Sequence, residues 1–295
     1  MSNDMDLNKN QLNPAILTKN YTQFLQTLNI SSFSLYQTYI NSRECPHCGS
    51  HRVVSKGNYK ERKRYLCRHC GKSFNNLTKT PFSGIHNLEK VEQYLSCMVN
   101  GDSIRKAADI VEVSVTTSFH WRHKLLSALN NLPSPRMKNV KEIMELKLPY
   151  SNKGSKLSIS KKLRNSKVSA LFVCDRTGKL DSDSIAYSKR NVNPVIKRIS
   201  QTSNQHSEII CDSKMRDINL QNIPLIKVNS NNTLYANSDI ILDKVENWKD
   251  WMKRFKGVAT KYLHNYLHWY DFLDNSSMKS DKISSLVQLI LGSTQ

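Results

Sequence analysis

Residues 45–70 read CPHCGSHRVVSKGNYKERKRYLCRHC. Two Cys-x-x-Cys pairs, Cys45/Cys48 and Cys67/Cys70, stand 18 residues apart, and Gly49 and Gly71 directly follow the second cysteine of each pair. Two intervening residues let both sulfurs of a pair point at one ion from a tight turn. Four thiolates complete a tetrahedral zinc site with no open position, so such a site is structural. A redox reading is weaker, because two redox pairs within so short a span are redundant. His47 and His69 are potential competing ligands, read more simply as exposed loop residues. The intervening pieces HRVVSKG and KRYLC alternate like short hairpin strands. Residues 43–76 are therefore read as a zinc ribbon.

The same stretch is basic. Nine basic and two acidic residues lie between Arg43 and Lys72, a net +7. Arg62, Lys63 and Arg64 adjoin Tyr65, and a basic hairpin beside a rigid metal knuckle suits contact with phosphates. The whole chain of 295 residues carries 44 Lys and Arg against 24 Asp and Glu, a net +20. That balance favours a polyanionic partner, and double-stranded DNA is the expected one. No apolar run approaches the roughly 20 residues that span a bilayer. The polar start has no signal-peptide pattern. A soluble, cytoplasmic, nucleoid-associated protein without membrane contact is expected.

Downstream, GDSIRKAADIVEVSVTTSFHWRHKLLSAL begins at Gly101. Ser103 is placed to cap a helix bearing Ile104, Ala107, Ala108 and Val111, and Ser114 to cap a second through Leu126. Val115, Phe119, Leu125 and Leu126 form the expected buried side of the second helix, with Trp121 at its edge. This is the layout of a helix-turn-helix, although the turn lacks a glycine. Thr116, Thr117 and His120 become candidates for base edges, and Arg105, Lys106, Arg122, His123 and Lys124 for phosphates.

A linker, NNLPSPRMKN, follows at 130–139. Beyond it, 141–148, 168–175, 208–212 and 224–229 read as strands, with a helix over 184–199 interrupted at Pro194. Helical periodicity returns over 239–273. Strands mixed with helices indicate an α/β domain. The expected class is multidomain α+β: an N-terminal helical segment (1–42), the ribbon (43–76), the helix-turn-helix (77–132), an α/β domain with a long C-terminal helix (133–274) and a tail (275–295).

Three blocks carry a family likeness: CPHCGS…RYLCRHCGKSFNNLTKTPFSGIH, SIRKAADIVEVSVTTSFHWRHKLL and FKGVATKYLHNYL. Together they resemble bacterial insertion-sequence transposases of the ISXO type. The resemblance implies an RNase H-like, DDE-type nuclease domain after the zinc ribbon and helix-turn-helix. It implies hydrolysis at transposon ends and transfer of the new 3′ hydroxyl to target DNA, with two Mg²⁺ or Mn²⁺ ions held by converging carboxylates. A homodimer on DNA is expected, because the chemistry joins paired ends.

The family's first catalytic strand has the pattern Glu-x-Asp-Glu, followed by Ser-x-Lys-Gly. The SNKG at 151–154 anchors that pattern on KEIMEL, 141–146. Glu142 falls on the first Glu, Met144 on the catalytic Asp and Glu145 on the second Glu. Alternation puts Glu145 on the opposite face from position 144, and Glu142 about 7 Å along the strand. A thioether is a poor ligand for a hard cation. Cys211-Asp212 carries its acid one residue earlier than the family's Cys-x-Asp, which predicts reversed facing. In the third block, Ile240, Leu242 and Val245 replace the family's Asn, Asn and His positions, and only Lys249 matches. Asp239, Asp243, Glu246 and Asp250 share a helix face, read as solvent-exposed charge. Ile241, Val245, Trp248, Met252 and Phe255 form the apolar face. Asp175, in CDRTGKL, is read as a turn residue. Tyr262, Tyr266, Trp269 and Tyr270 are read mostly as core, with Lys253, Arg254, Lys256 and Lys261 available to line a DNA path.

The leading reading is a transposase-family protein that grips DNA with its strand-transfer activity lost. A second keeps an active transposase using Glu142 or Glu145, Asp212 and the 243–246 region, with Mg²⁺ or Mn²⁺ required only then. A third is a DNA-binding regulator or scaffold.

Overall fold

In this computed structural model the described residues are 44–59, 62–75, 77–85, 88–130, 135, 137, 140–154, 167–185, 208–212, 225–228, 239–276, 282–283 and 285–286. The expected N-terminal helical segment, nearly all of the 130–139 linker and of the 184–199 helix, and most of the tail lie outside them. The chain divides into two compact units, 1–100 with 279–295, and 101–278.

The first unit holds a three-stranded antiparallel sheet in the order β1 (Val53–Tyr59), β2 (Arg62–Cys67), β3 (Ser73–Asn75), and helix α1 (Leu88–Val99). Its β1–β2 register runs from Val53↔Cys67 to Tyr59↔Arg62, with an irregularity between Ser55 and Asn58. The sheet buries little: Cys45, Cys67 and Phe74, with Val53, Tyr65 and Cys70 packed against them. Tyr65 stacks on Phe74 at 5.6 Å. After β3, polar side chains replace a regular ladder. Asn75 Oδ1 accepts from Leu77 N at 3.0 Å and from Thr78 Oγ1 at 3.1 Å. Thr80 Oγ1 donates to the Leu77 carbonyl at 2.8 Å. The NNLTKTP block is thus turn chemistry that closes the chain after the ribbon.

The second unit starts with α2 (Ile104–Val111) and α3 (Val115–Leu129). Ser103 and Ser114 accept from Lys106 N and Thr117 N, the caps read from the sequence. The missing turn glycine is replaced by Glu112, which itself takes the left-handed conformation at φ 54°. Such a residue costs about 1–2 kcal/mol.

The five-stranded sheet that follows has its strands in the order 180–185, 167–175, 140–149, 208–212 and 225–228. Strands β4 (Val140–Pro149), β5 (Lys167–Asp175) and β6 (Leu180–Ile185) form an antiparallel meander. Strands β7 (Glu208–Asp212) and β8 (Leu225–Val228) continue parallel to β4. Asp175 closes the β5–β6 turn as expected, its Oδ1 accepting from Thr177 N at 2.9 Å and Lys179 N at 3.0 Å. Strand β6 was not expected, because LDSDSI lacks apolar alternation, and it takes in the first two residues assigned to the 184–199 helix. It is an edge strand held by side chains of another element. Asp271 accepts from Ser182 N and Ser182 Oγ, both at 2.6 Å. Asn275 exchanges two hydrogen bonds with the Leu180 backbone at 2.9 and 2.6 Å.

The long C-terminal helix expected over 239–273 is two helices, α4 (Asp239–Met252) and α5 (Leu263–Asn275), joined through a short 3-10 turn at Thr260–Tyr262. Gly257, at φ 79°, takes a conformation that L side chains rarely adopt. The break is then clamped from a distance. Ser151 N donates to Thr260 Oγ1 and Thr260 N to the Ser151 carbonyl, both at 2.8 Å, and Lys153 Nζ donates to the Lys256 carbonyl at 2.6 Å. Helix α4 buries Ile241, Val245, Trp248 and Trp251, and Trp248 meets Phe172 of β5 edge to face at 5.3 Å. Trp269 of α5 stands 4.9 Å from Trp251.

The Asp271 strap is testable. Asp271→Ala leaves the Ser182 N–H, in a buried residue, without its carboxylate acceptor and should lower unfolding free energy by about 2–3 kcal/mol. Urea titration measures this, and a loss below about 0.5 kcal/mol, the size of an ordinary surface substitution, would show that the strap is unimportant.

Candidate functional site

The four cysteines converge. Their sulfurs all lie within 4.8 Å of one another, with Cys45–Cys70 and Cys48–Cys67 both at 3.7 Å. Sulfurs around one ion at a Zn–S distance of about 2.3 Å stand about 3.8 Å apart along the tetrahedron edge. The two turns are built alike. Gly49 N donates to the Cys45 carbonyl at 2.8 Å and Gly71 N to the Cys67 carbonyl at 2.9 Å, with both glycines at φ near 70°. Cys45 N and Cys67 N each donate across their turn at 3.0 Å, to Ser50 and Lys72. The backbone N–H of Cys70, followed by that of His69, pulls the Cys67 thiol down to about 6. Donor type, spacing and turn geometry all fit a structural zinc ion.

On the ribbon's basic strand, Lys63 is exposed, and Arg64 reaches Ser73 Oγ at 3.5 Å. The side chain of Arg62 lies outside the described part of the structure.

On the α2–α3 pair, Arg105, Lys106, Thr116, His120 and Lys124 are exposed. Thr117 Oγ1 is 2.8 Å from Ser114 Oγ and belongs to the cap. Three sequence expectations need correction here. Arg122 is 0% exposed; it donates to the Asp102 carbonyl at 2.9 Å and lies 4.5 Å over the Trp269 ring, so it is not a surface phosphate contact. His123 stacks on Tyr262 at 3.7 Å; burial first, then repulsion from Arg122 and Lys261, pushes it down to about 4. It is neutral at pH 7 and does not serve as a cation. Val115 and Phe119, expected inside, are 47% and 37% exposed. Leu125 and Leu126 alone of that set are fully buried, because α5 packs against the C-terminal half of α3.

On the sheet, KEIMEL is the centre of β4, flanked by β5 and β7. Met144 pairs with Phe172, on the face that meets α4. Glu142 shares that face but is 2% exposed and ion-paired with Arg176 at 3.0 Å. Glu145 faces the other way and accepts a hydrogen bond from Ser169 Oγ. The parallel register pairs Glu142 with Ile210 and Ile143 with Cys211. Continuing it by one residue brings the Asp212 backbone level with Met144. The Asp212 side chain lies outside the described part. On α4, Asp243, Glu246 and Asp250 are exposed; Lys249 pairs with Glu246 at 2.5 Å and Lys253 with Asp250 at 2.6 Å. Among the described residues, the four cysteines are the one group arranged to hold a metal ion. No described helix is long and apolar enough to cross a membrane.

No family model matches the chain. A mobile-element protein is similar to it. That protein, an uncharacterized protein in transposable element ISH50 of Halobacterium salinarum, is 29% identical over 118 residues, 39% of this chain and 39% of its own length. The chain thus spans well under half of that relative, and the likeness is consistent with a transposase-like protein.

The sequence reading missed the role of Lys153. Its signal was the joint presence of SNKG and FKGVATKYL, about 100 residues apart, which the hydrogen bonds between these two segments explain.

Proposed function

We propose that this is a transposase-related DNA-binding protein that has lost strand cleavage and strand transfer. The ribbon takes one structural zinc on Cys45, Cys48, Cys67 and Cys70 and offers Lys63 and its basic neighbours to phosphates. The α2–α3 pair acts as a helix-turn-helix, with Thr116 and His120 toward base edges and Arg105, Lys106 and Lys124 toward phosphates. The five-stranded sheet is the remnant of an RNase H-like nuclease domain, and the protein works as a dimer on duplex DNA.

One observation carries the loss of chemistry: β4 and β7 pair as far as Ile143 and Cys211, so the β4 residue that follows beside Asp212 is Met144, a thioether. Two-metal displacement needs oxygen ligands from both strands, with the ions about 3.5–4 Å apart. Neither neighbouring glutamate is available to substitute. Glu142 is committed to Arg176, and Glu145 lies on the opposite face with Ser169. Glu246 and Asp250 of α4 are paired with lysines in solvent, where they serve solubility.

The test uses purified full-length protein and end-labelled duplexes. Binding by fluorescence anisotropy should weaken about 10³-fold or more between 50 and 200 mM salt, the behaviour of a protein neutralising six or more phosphates. Incubation with Mg²⁺ or Mn²⁺ should give no strand cleavage. Cleavage abolished by Asp212→Ala would overturn the loss of chemistry, and duplex binding indifferent to salt would overturn the DNA reading.

A further inference from the structure

Within the second unit, a cleft of about 690 Å³ opens between α3, the 253–262 segment and the 151–154 loop. Its volume is in the range of pockets that enclose small organic groups. Five cationic side chains line it: Arg105, Lys153, Arg254, Lys256 and Lys261, all exposed. None of the described residues lining it is acidic. Its floor is apolar and aromatic. Phe119 is 37% exposed there, the stacked His123–Tyr262 pair lies beside it, and Phe119 stands 4.4 Å from His123 and 6.1 Å from Tyr262. Val115, at 47% exposed, extends the same helix face.

Two features of the cleft call for a ligand. Five like charges converge on one concavity whose described lining holds no acid, which raises its affinity for a polyanion. A large aromatic ring is left more than a third exposed at the floor, where a flat π-surface would cover it. The rim is also rigid. Lys153 is held by the Lys256 carbonyl, and a Cβ added at Gly257 would meet Lys153 Cδ and Nζ at 2.8 Å.

We propose that this cleft binds an unpaired stretch of DNA strand, with the phosphates on the lysine and arginine rim and a base stacked on Phe119. A duplex keeps its base faces inside the stack, so it uses the cations and leaves the aromatic floor uncovered. A single strand uses both, the combination found where proteins hold unpaired nucleic acid by a basic groove and stacking rings. The inference deepens the DNA-binding reading by naming a second strand state and a site for it beside the α3 residues Thr116 and His120, with Arg105 common to both.

The experiment measures anisotropy of labelled oligo(dT) and, in parallel, of a labelled duplex, for the full chain and two variants. Phe119→Ala should weaken oligo(dT) binding about tenfold with duplex binding changed less than twofold. The double variant K256Q/K261Q should lower the salt slope for oligo(dT) by about 1.4, at roughly 0.7 per lost phosphate contact. It changes only exposed side chains, so it tests the cleft even if Phe119→Ala disturbs packing. Equal losses on oligo(dT) and duplex would make the cleft part of a duplex path and overturn the proposal, as would no loss on either. Wild-type protein that binds duplex but not oligo(dT) overturns this proposal alone. Binding of oligo(dT) with the expected variant losses, but no duplex binding, supports it and overturns the duplex reading instead.

Discussion

Removing the metal from the four-cysteine cluster should unfold the ribbon and leave the 101–278 unit folded. The sheet of the first unit has a core of three buried residues, two of which are the ligands Cys45 and Cys67. So small a core cannot offset the conformational entropy of ordering the strands. Zinc binding, on the order of 10 kcal/mol for such modules, is therefore largely the folding free energy of this part. All four tryptophans, at 121, 248, 251 and 269, belong to the second unit. Tryptophan fluorescence therefore reports that unit alone, while limited proteolysis between residues 44 and 75 reports the ribbon. A strong chelator, or Cys67→Ser, should make the ribbon protease-sensitive and leave the fluorescence unchanged. Metal analysis should find one zinc per chain. A protease-resistant ribbon with no bound metal would refute the structural-zinc assignment.

Arg122→Ala should be the most damaging single change in the second unit. The guanidinium is fully buried, donates to the Asp102 carbonyl and lies over Trp269. A desolvated cation over an indole contributes about 2 kcal/mol. Removing the side chain adds the cavity it leaves, for a total of about 4 kcal/mol. Arg122→Lys should recover little of this, because an ammonium cannot stack on a ring as a planar guanidinium does. Denaturant titration followed by tryptophan emission, which reports the second unit, measures both variants. If Arg122→Ala instead weakened DNA binding while leaving stability unchanged, the surface role first read from its position on α3 would be correct after all.

Arg122 also shows where sequence reading stops. It sits in FHWRHKLL beside His123 and Lys124, and nothing local separates a buried arginine from a phosphate contact. What buries it is Trp269, about 150 residues later. Phe119 fails in the opposite direction: apolar and at helical spacing, it reads as core, but α5 covers only the C-terminal half of α3, and the residue stays more than a third exposed on the floor of a cleft.

Other features were local and therefore legible. The ribbon depends on two short turns, each closed by its own backbone and a following glycine. The caps at Ser103 and Ser114 are contacts within four residues. The strands read from 168–175 and 208–212 are largely apolar runs, and those read from 141–148 and 224–229 interleave apolar with polar residues, both local signals of a packed sheet. Strand β6 was not legible, because its edge is satisfied by Asp271 and Asn275 from α5 and not by an apolar face of its own.

By itself, the sequence determined the cysteine knuckles, the helix caps, the strand cores and the presence of a thioether at 144, since each rests on residue type and short spacing. Tertiary structure alone decided that Glu142 is spent on Arg176, that β7 pairs with β4 as far as Cys211 opposite Ile143, that the last helix breaks at a clamp from 151–153, and that five cations surround one aromatic floor. Those outcomes depend on which distant segments share a face, and such proximity is set by packing of the whole unit and not by any local pattern.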